Sequence, residues 1–166
     1  MSGFVVEGKI KLKGNVKVSG NKNEALPLIA ASLLCSKPVT LINVPDIGDV
    51  RNMLQIAEML GTVNSPFCNE SVTIDPTRIS CSVLPLELSS TIRASILFAS
   101  SLLVRTGRAV ICQPGGDSIG RRRLDTHFLV FKALGAKLSI ERKISSDVTR
   151  ETNFILDAPN GLIGAD

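Results

Sequence analysis

Two short stretches of this chain combine glycines, amides and cations in ways that suit anion chemistry. Gly20-Asn21-Lys22-Asn23 stands between an alternating apolar segment and a continuous apolar run, the pattern of a strand-to-helix junction. Backbone N–H groups at a helix start have no intrahelical acceptor and favour anions, and Lys22 adds a full positive charge there. The alternative is an ordinary solvated turn with Asn23 as the helix cap. The second stretch is Gly115-Gly116-Asp117-Ser118-Ile119-Gly120-Arg121-Arg122-Arg123. Its glycines allow backbone to approach a ligand closely, and Arg121, Arg122 and Arg123 offer forked donors that fit phosphate or carboxylate. A long basic turn is the alternative, because three adjacent arginines cannot all face one ligand. Gly115 and Gly120 have P-loop spacing. Arginines replace the Lys-Ser/Thr pair that such a loop needs, which excludes nucleotide hydrolysis.

Isolated residues carry weaker signals. Asp117 lies among arginines that favour its charged form, so acid chemistry would require burial or protonation coupled to substrate. Arg93 sits early in an apolar run, where it is either an exposed first-turn residue or a buried cation that needs a partner. Asp125 and His127 read as capping or bracing the next helix. With one histidine, four cysteines and no C-x-x-C pair, no metal site is expected. Cys35 and Cys112 lie in apolar runs and read as core fillers.

The elements that must position these residues are written twice. Leu33-Leu34, Pro45 and Leu60-Gly61 in one copy correspond to Leu102-Leu103, Pro114 and Leu134-Gly135 in the other. The step from leucines to proline is identical in both, and the step from proline to glycine is five residues longer in the second copy. The extra residues fall in the glycine- and arginine-rich stretch. A repeat implies a modular architecture, and a polar insertion in one module marks where function is added.

Periodicity predicts strands within Ile10 to Val18 and a buried helix from Glu24 to Cys35, with Pro27 tolerated in its first turn. It predicts a strand from Val39 to Val44, a helix from Val50 to Leu60 capped by Asp49 and ended by Gly61, and a strand from Val72 to Asp75. The second copy predicts a helix from Thr91 to Arg105, a strand from Ala109 to Cys112 and a helix from Leu124 or Asp125 to Gly135. Strands follow at Lys137 to Glu141 and Asn153 to Leu156, with a polar turn over residues 144–152. The fold class is α+β, with a mixed α/β arrangement also compatible.

Composition bounds the function. The 166 residues are 44% hydrophobic and 20% charged, which describes a globular chain with a real core. No apolar run approaches the ~18 residues of a membrane span, and the first residues lack a secretory pattern, so a cytoplasmic location with reduced thiols is expected. The net charge of +4 is mild, and Trp and Tyr are absent. Base-stacking platforms are hard to build from this set, so no nucleic-acid partner is expected and small anionic substrates are favoured.

Several strings together resemble one family, the UDP-N-acetylglucosamine 1-carboxyvinyltransferases of peptidoglycan synthesis. They are Val18-Ser19-Gly20-Asn21-Lys22-Asn23-Glu24-Ala25-Leu26-Pro27, Asn43-Val44-Pro45 with Asp49-Val50, Ile92-Arg93-Ala94-Ser95, and Pro114-Gly115-Gly116 through Ile119-Gly120, Arg122, Asp125 and His127. The resemblance runs from about residue 4 to the last residue. It implies the enolpyruvyl-transferase fold of two domains built from βαβαββ units, with this chain as an incomplete N-terminal fragment. Residues 1–20 would be strands of the second domain, and residues 21–166 about two units of the first.

The implied reaction moves the enolpyruvyl group of phosphoenolpyruvate onto the 3′-hydroxyl of UDP-N-acetylglucosamine and releases phosphate, without metal or organic cofactor, in an enzyme that is a monomer at full length. The family's general base and further arginines would lie beyond residue 166, so the chain alone is expected to be inactive.

By resemblance, Lys22 and Arg122 contact phosphoenolpyruvate and Asn23 positions both substrates. Arg93 lies on the nucleotide-sugar side, and Arg123, Leu124, Asp125 and Thr126 line the uridine. Asp117 takes the place of a cysteine tied to proton donation and to alkylation by the epoxide fosfomycin, so resistance to fosfomycin is expected. Arg123 and Ala99-Ser100-Ser101 replace a common Pro and a Gly-Pro stretch. A sister enzyme acting on shikimate 3-phosphate, and a non-catalytic remnant that binds a UDP-sugar, are the alternatives.

Overall fold

The computed structural model describes residues 3–116, 123–144 and 150–165. Its elements run α1 (Lys22–Ser32), β1 (Val39–Leu41), α2 (Gly48–Leu60), β2 (Val63–Asn64) and β3 (Val72–Asp75). They continue with α3 (Leu86–Ser89), a 3₁₀ helix (Arg93–Leu97), α4 (Phe98–Thr106), β4 (Arg108–Cys112), α5 (Asp125–Ala133), β5 (Lys137–Ile144) and β6 (Arg150–Asp157). The written repeat is a structural repeat. One sheet has the order β1-β3-β2 and the other β4-β6-β5. In each, the last strand of the unit lies in the centre and pairs antiparallel with both neighbours. The two outer strands therefore run the same way, joined by a crossover helix, α2 or α5.

The second unit has a leading extended segment as well. Val83 bridges Val110 in parallel. Val110 N–H donates to the Ser82 carbonyl at 2.8 Å, and Leu84 N–H to the Val110 carbonyl at 2.9 Å. Segment 82–84, α4, β4, α5, β5 and β6 thus make one full βαβαββ unit. The first unit has no such partner strand among the described residues. The strands expected over Ile10 to Val18 are not formed, and Phe4 and Val16 are 98% and 90% exposed. Alternation gives a strand its apolar face, but a ladder needs a neighbour, and none is supplied here.

Local chemistry moved several boundaries. Helix α1 starts at Lys22, two residues early, because the Asn21 side chain accepts from Asn23 N–H at 2.8 Å, a cap bond. Asn21, not Asn23, is the cap, and Pro27 falls in the second turn. The helix is not buried all round, since Leu28 is exposed, and it ends at Ser32 rather than Cys35. Helix α2 starts at Gly48 after Ile47, so Asp49 is inside the first turn and is not the cap. Gly61 ends it in the left-handed region at φ 112°, its N–H bonded to the Ala57 and Glu58 carbonyls. Strand β1 stops at Leu41, and Asn43 has φ 55°.

The helix expected from Thr91 to Arg105 is two pieces. Ile92 is extended. The Ser95 hydroxyl, bonded to the Ser89 and Ile92 carbonyls, competes for helical acceptors. Strands β5 and β6 run on to Ile144 and from Arg150, so both ends of the expected turn are strand, while residues 145–149 lie outside the described ones.

The core lies where α1 and α4 meet between the units. Ile29 on α1, Leu33 at its C-cap, and Phe98, Leu102 and Leu103 on α4, are fully or almost fully buried. Ser101 Oγ donates to the Ala30 carbonyl at 2.6 Å across this contact. Arg105 ties the units at the other end, donating to the Cys35 carbonyl at 3.1 Å and the Pro76 carbonyl at 3.0 Å. Cys112 is buried as expected, and burial raises its thiol pKa above the ordinary value. Cys35 is exposed instead, because it lies past the end of α1 rather than on its inner face.

Candidate substrate site at converging helix starts

The first turns of α1, α2 and α5 open onto one cleft of about 340 Å³. Lys22 and Asn23 come from α1, Asp49 from α2, His127 from α5, and Arg93 and Ala94 from the 3₁₀ helix. Helix starts carry partial positive charge and unpaired N–H groups, so their convergence favours an anion even before side chains are counted. Lys22 Nζ donates to Asp49 Oδ2 at 2.7 Å, and both side chains are about half exposed, at 48% and 41%.

Gly116 lines this cleft with Gly115 just before it, and the reason for two glycines is steric. A Cβ at Gly115 would stand 1.3 Å from the Ser90 carbonyl oxygen. A Cβ at Gly116, where φ is 106°, would stand 3.3 Å from Arg93 N. The close backbone approach read from these glycines is to the chain between two neighbouring elements, Gly115 against Ser90 at the end of α3 and Gly116 against Arg93 at the start of the 3₁₀ helix. The first unit repeats the device, for a Cβ at Gly20 would lie 1.7 Å from the Asn43 carbonyl oxygen.

Arg93 also lines a second cleft, of about 410 Å³, with Gln113, Arg123, Leu124, Asp125, Phe128 and Phe154. Its Nη2 donates to the Arg123 carbonyl at 2.8 Å, so one guanidinium joins the 3₁₀ helix to the segment entering α5. Arg123 Nε donates to Asp125 Oδ1 at 3.1 Å. That hydrogen bond holds the Asp125 carboxyl below the usual carboxylate range. Phe128 and Phe154 stack tilted, with ring centroids 4.8 Å apart, and give this cleft an apolar floor.

Of the residues expected to act, Lys22, Asn23 and Arg93 come together in the first cleft, and Arg93, Arg123, Leu124 and Asp125 in the second. Thr126 is exposed on α5 and lines neither. Asp117, Arg121 and Arg122 lie outside the described residues. His127, read as a brace, faces the first cleft. Sequence reasoning missed Asp49 as a site residue, because a first-turn carboxylate looks like a cap. It also missed Phe128 and Phe154, whose apolar side chains look like ordinary core. Among the described residues, no group of three or more His, Cys, Asp and Glu could hold a metal ion. No described helix is long and apolar enough to cross a membrane.

Paired units of this topology, with helix starts and cations gathered at one cleft, define an enolpyruvyl-transferase type of domain. The model of the family described as EPSP synthase (3-phosphoshikimate 1-carboxyvinyltransferase) matches residues 6–155, and the chain belongs to that family. Among curated relatives, the UDP-N-acetylglucosamine 1-carboxyvinyltransferase of Treponema denticola is 46% identical over 145 residues, covering 87% of this chain and 34% of the relative. The Treponema pallidum protein of the same name is 47% identical over 141 residues, covering 85% and 33%. That of Bradyrhizobium diazoefficiens is 39% identical over 170 residues, covering 98% and 39%. The chain therefore spans about a third of the length of the relatives it matches. Among solved structures, the enolpyruvyl transferase NikO from Streptomyces tendae superposes with a TM-score of 0.66 at 24% identity, over 92% of this chain and 31% of that one. The EPSP synthase from Acinetobacter baumannii gives a TM-score of 0.60 at 16% identity, over 85% and 31%. These two likenesses concern the fold.

Proposed function

We propose that this chain supplies part of the active site of an enzyme that transfers the enolpyruvyl group of phosphoenolpyruvate to the 3′-hydroxyl of UDP-N-acetylglucosamine, releasing phosphate, in peptidoglycan synthesis in the cytoplasm. The observation that carries the reading is the first cleft. Lys22 and Asn23, with Arg93 from a distant part of the sequence, share it with three helix starts. Relatives named for this substrate, at up to 47% identity, support it further.

Both substrates are anions, and fixed cations lower the free energy of bringing them together. Lys22 and Arg122 would bind phosphoenolpyruvate, with Asn23 fixing the two substrates relative to each other. Arg93, Arg123, Leu124, Asp125 and Thr126 would take the nucleotide sugar. The second cleft supports that role, since a planar base fits against its Phe128–Phe154 floor beside polar Gln113 and Asp125. Asp117 would deliver a proton to the methylene carbon, making it a methyl, as the sugar 3′-oxygen bonds to the adjacent carbon and gives up its own proton to a base outside residues 1–166. Loss of a methyl proton and of phosphate then restores the double bond and leaves the enol ether.

Residues 21–166 would form about two units of one domain, and residues 1–20 would complete a sheet of a second domain. The exposed apolar side chains from Phe4 to Val18 support that assignment, because such a face needs cover. The whole enzyme would work as a monomer.

Phosphate release tests the proposal. The chain is joined to the C-terminal two thirds of the Treponema denticola relative and assayed with phosphoenolpyruvate and either UDP-N-acetylglucosamine or shikimate 3-phosphate. Release with the nucleotide sugar alone is expected. Release only with shikimate 3-phosphate would transfer the reading to the activity in the family's description. Release with neither, from a folded chimera, would favour a non-catalytic UDP-sugar-binding remnant.

A further inference from the structure

We propose that Asp49 is a positioning residue for the transfer reaction: its carboxylate orients the Lys22 ammonium for the phosphate of the incoming substrate. This rests on the enolpyruvyl reading above. The pair joins the first turns of two helices, α1 and α2, at 2.7 Å, and both residues face the same cleft. The carboxylate is not spent on its own helix. The cap position of α2 is Ile47, which makes no side-chain cap bond, and the Asp49 carboxylate accepts from Lys22 on the other helix.

A lysine ammonium sits on a flexible four-carbon stem, and an unanchored one spends most of its time in solvent. Anchoring removes that freedom before substrate arrives, which is how positioned groups lower a barrier. Electrostatics alone predicts the opposite sign. A carboxylate inside an anion cleft repels the substrate and competes with it for Lys22, so a mere counter-ion would weaken binding. The pair is half exposed, where direct ion pairing contributes little. Orientation is therefore the effect worth testing, and the two readings differ in the direction of the change.

The test uses the chimera described above with lysine side chains labelled for NMR, as wild type and as Asp49→Ala, Asp49→Asn and Asp49→Glu, each checked by thermal unfolding. The Lys22 side-chain order parameter is read first, with exposed Lys132 as the internal reference, and phosphoenolpyruvate is then titrated in the presence of UDP-N-acetylglucosamine. In wild type, Lys22 is expected to be more ordered than Lys132. Asp49→Ala should lower it toward the Lys132 value and weaken phosphoenolpyruvate binding about two- to fivefold. Asp49→Glu and Asp49→Asn, which keep an acceptor oxygen, should restore part of both. Unchanged Lys22 order in Asp49→Ala, or tighter phosphoenolpyruvate binding, would overturn the inference. A wild-type chimera whose Lys22 resonance ignores saturating phosphoenolpyruvate would overturn the enolpyruvyl reading instead, while the dependence of Lys22 order on Asp49 would still report the pairing.

Discussion

Replacing Gly115 by alanine adds a single methyl group, and the structure says what that methyl meets. Its Cβ would lie 1.3 Å from the Ser90 carbonyl oxygen and 2.4 Å from the Ser90 carbonyl carbon. Since Cβ contacts under 3.0 Å are essentially never seen, the loop and the Ser90 backbone must separate by about 1.7 Å. Both obstacles are backbone, so no rotamer change relieves the clash. Overpacking of this kind destabilises by about 1–3 kcal/mol, which for a chain of this size lowers Tm by roughly 3–10 °C.

The functional consequence is larger. The displaced loop borders Arg93, and a shift of about 1 Å in a positioned group can reduce turnover ~100-fold. Circular dichroism melts of the chain, with phosphate release by the chimera described above, measure both effects. Gly48→Ala is the control, because nothing lies within 4 Å of a Cβ there and its Tm should stay within about 2 °C of wild type. A Gly115→Ala protein with wild-type Tm and turnover would refute the argument that these glycines exist to let the loop approach Ser90.

Other expectations follow from single contacts. Arg105→Met keeps the aliphatic stem and removes two hydrogen bonds to the Cys35 and Pro76 carbonyls. A loss of about 1–3 kcal/mol in urea unfolding is expected, and a loss below the experimental error would show that these bonds do not hold the units together. Asp125 has its pKa depressed by the Arg123 hydrogen bond, so the stabilisation it gives is present above the unfolded carboxylate pKa of about 3.9 and is lost as pH falls through the lower folded value. In ¹³C NMR its carboxyl should titrate below the unfolded midpoint, and Arg123→Ala should move the midpoint upward. Because a carboxylate at position 117 is a far weaker nucleophile toward an epoxide than a thiolate, the chimera is expected to keep turning over after fosfomycin treatment. Irreversible loss of activity with a fosfomycin mass adduct on the protein would contradict this, and Asp117→Cys should create sensitivity.

The sequence by itself determined the modular plan. Two units with matching Leu-Leu, Pro and Leu-Gly marks became two sheets of the same strand order, because periodicity, caps and helix-ending glycines act over a few neighbouring residues. Strand β3 and the Gly61 end of α2 were legible to the residue for that reason. Lys22, Asn23 and Arg93 were marked as site residues only through the motif resemblance and not from spacing, and the structure places all three at one cleft.

Tertiary structure decided what the local pattern could not encode. It turned Asp49 from an apparent cap into the partner of Lys22, tied Arg93 to the Arg123 carbonyl, and set Gly115 against Ser90. It also left the alternating segment before Val18 without a sheet, since an alternating pattern describes one face of a strand but not its neighbour. Each of these depends on how one unit or helix start meets another. That meeting is set by packing α1 against α4 in a shared core, and no short window of sequence contains both sides of it.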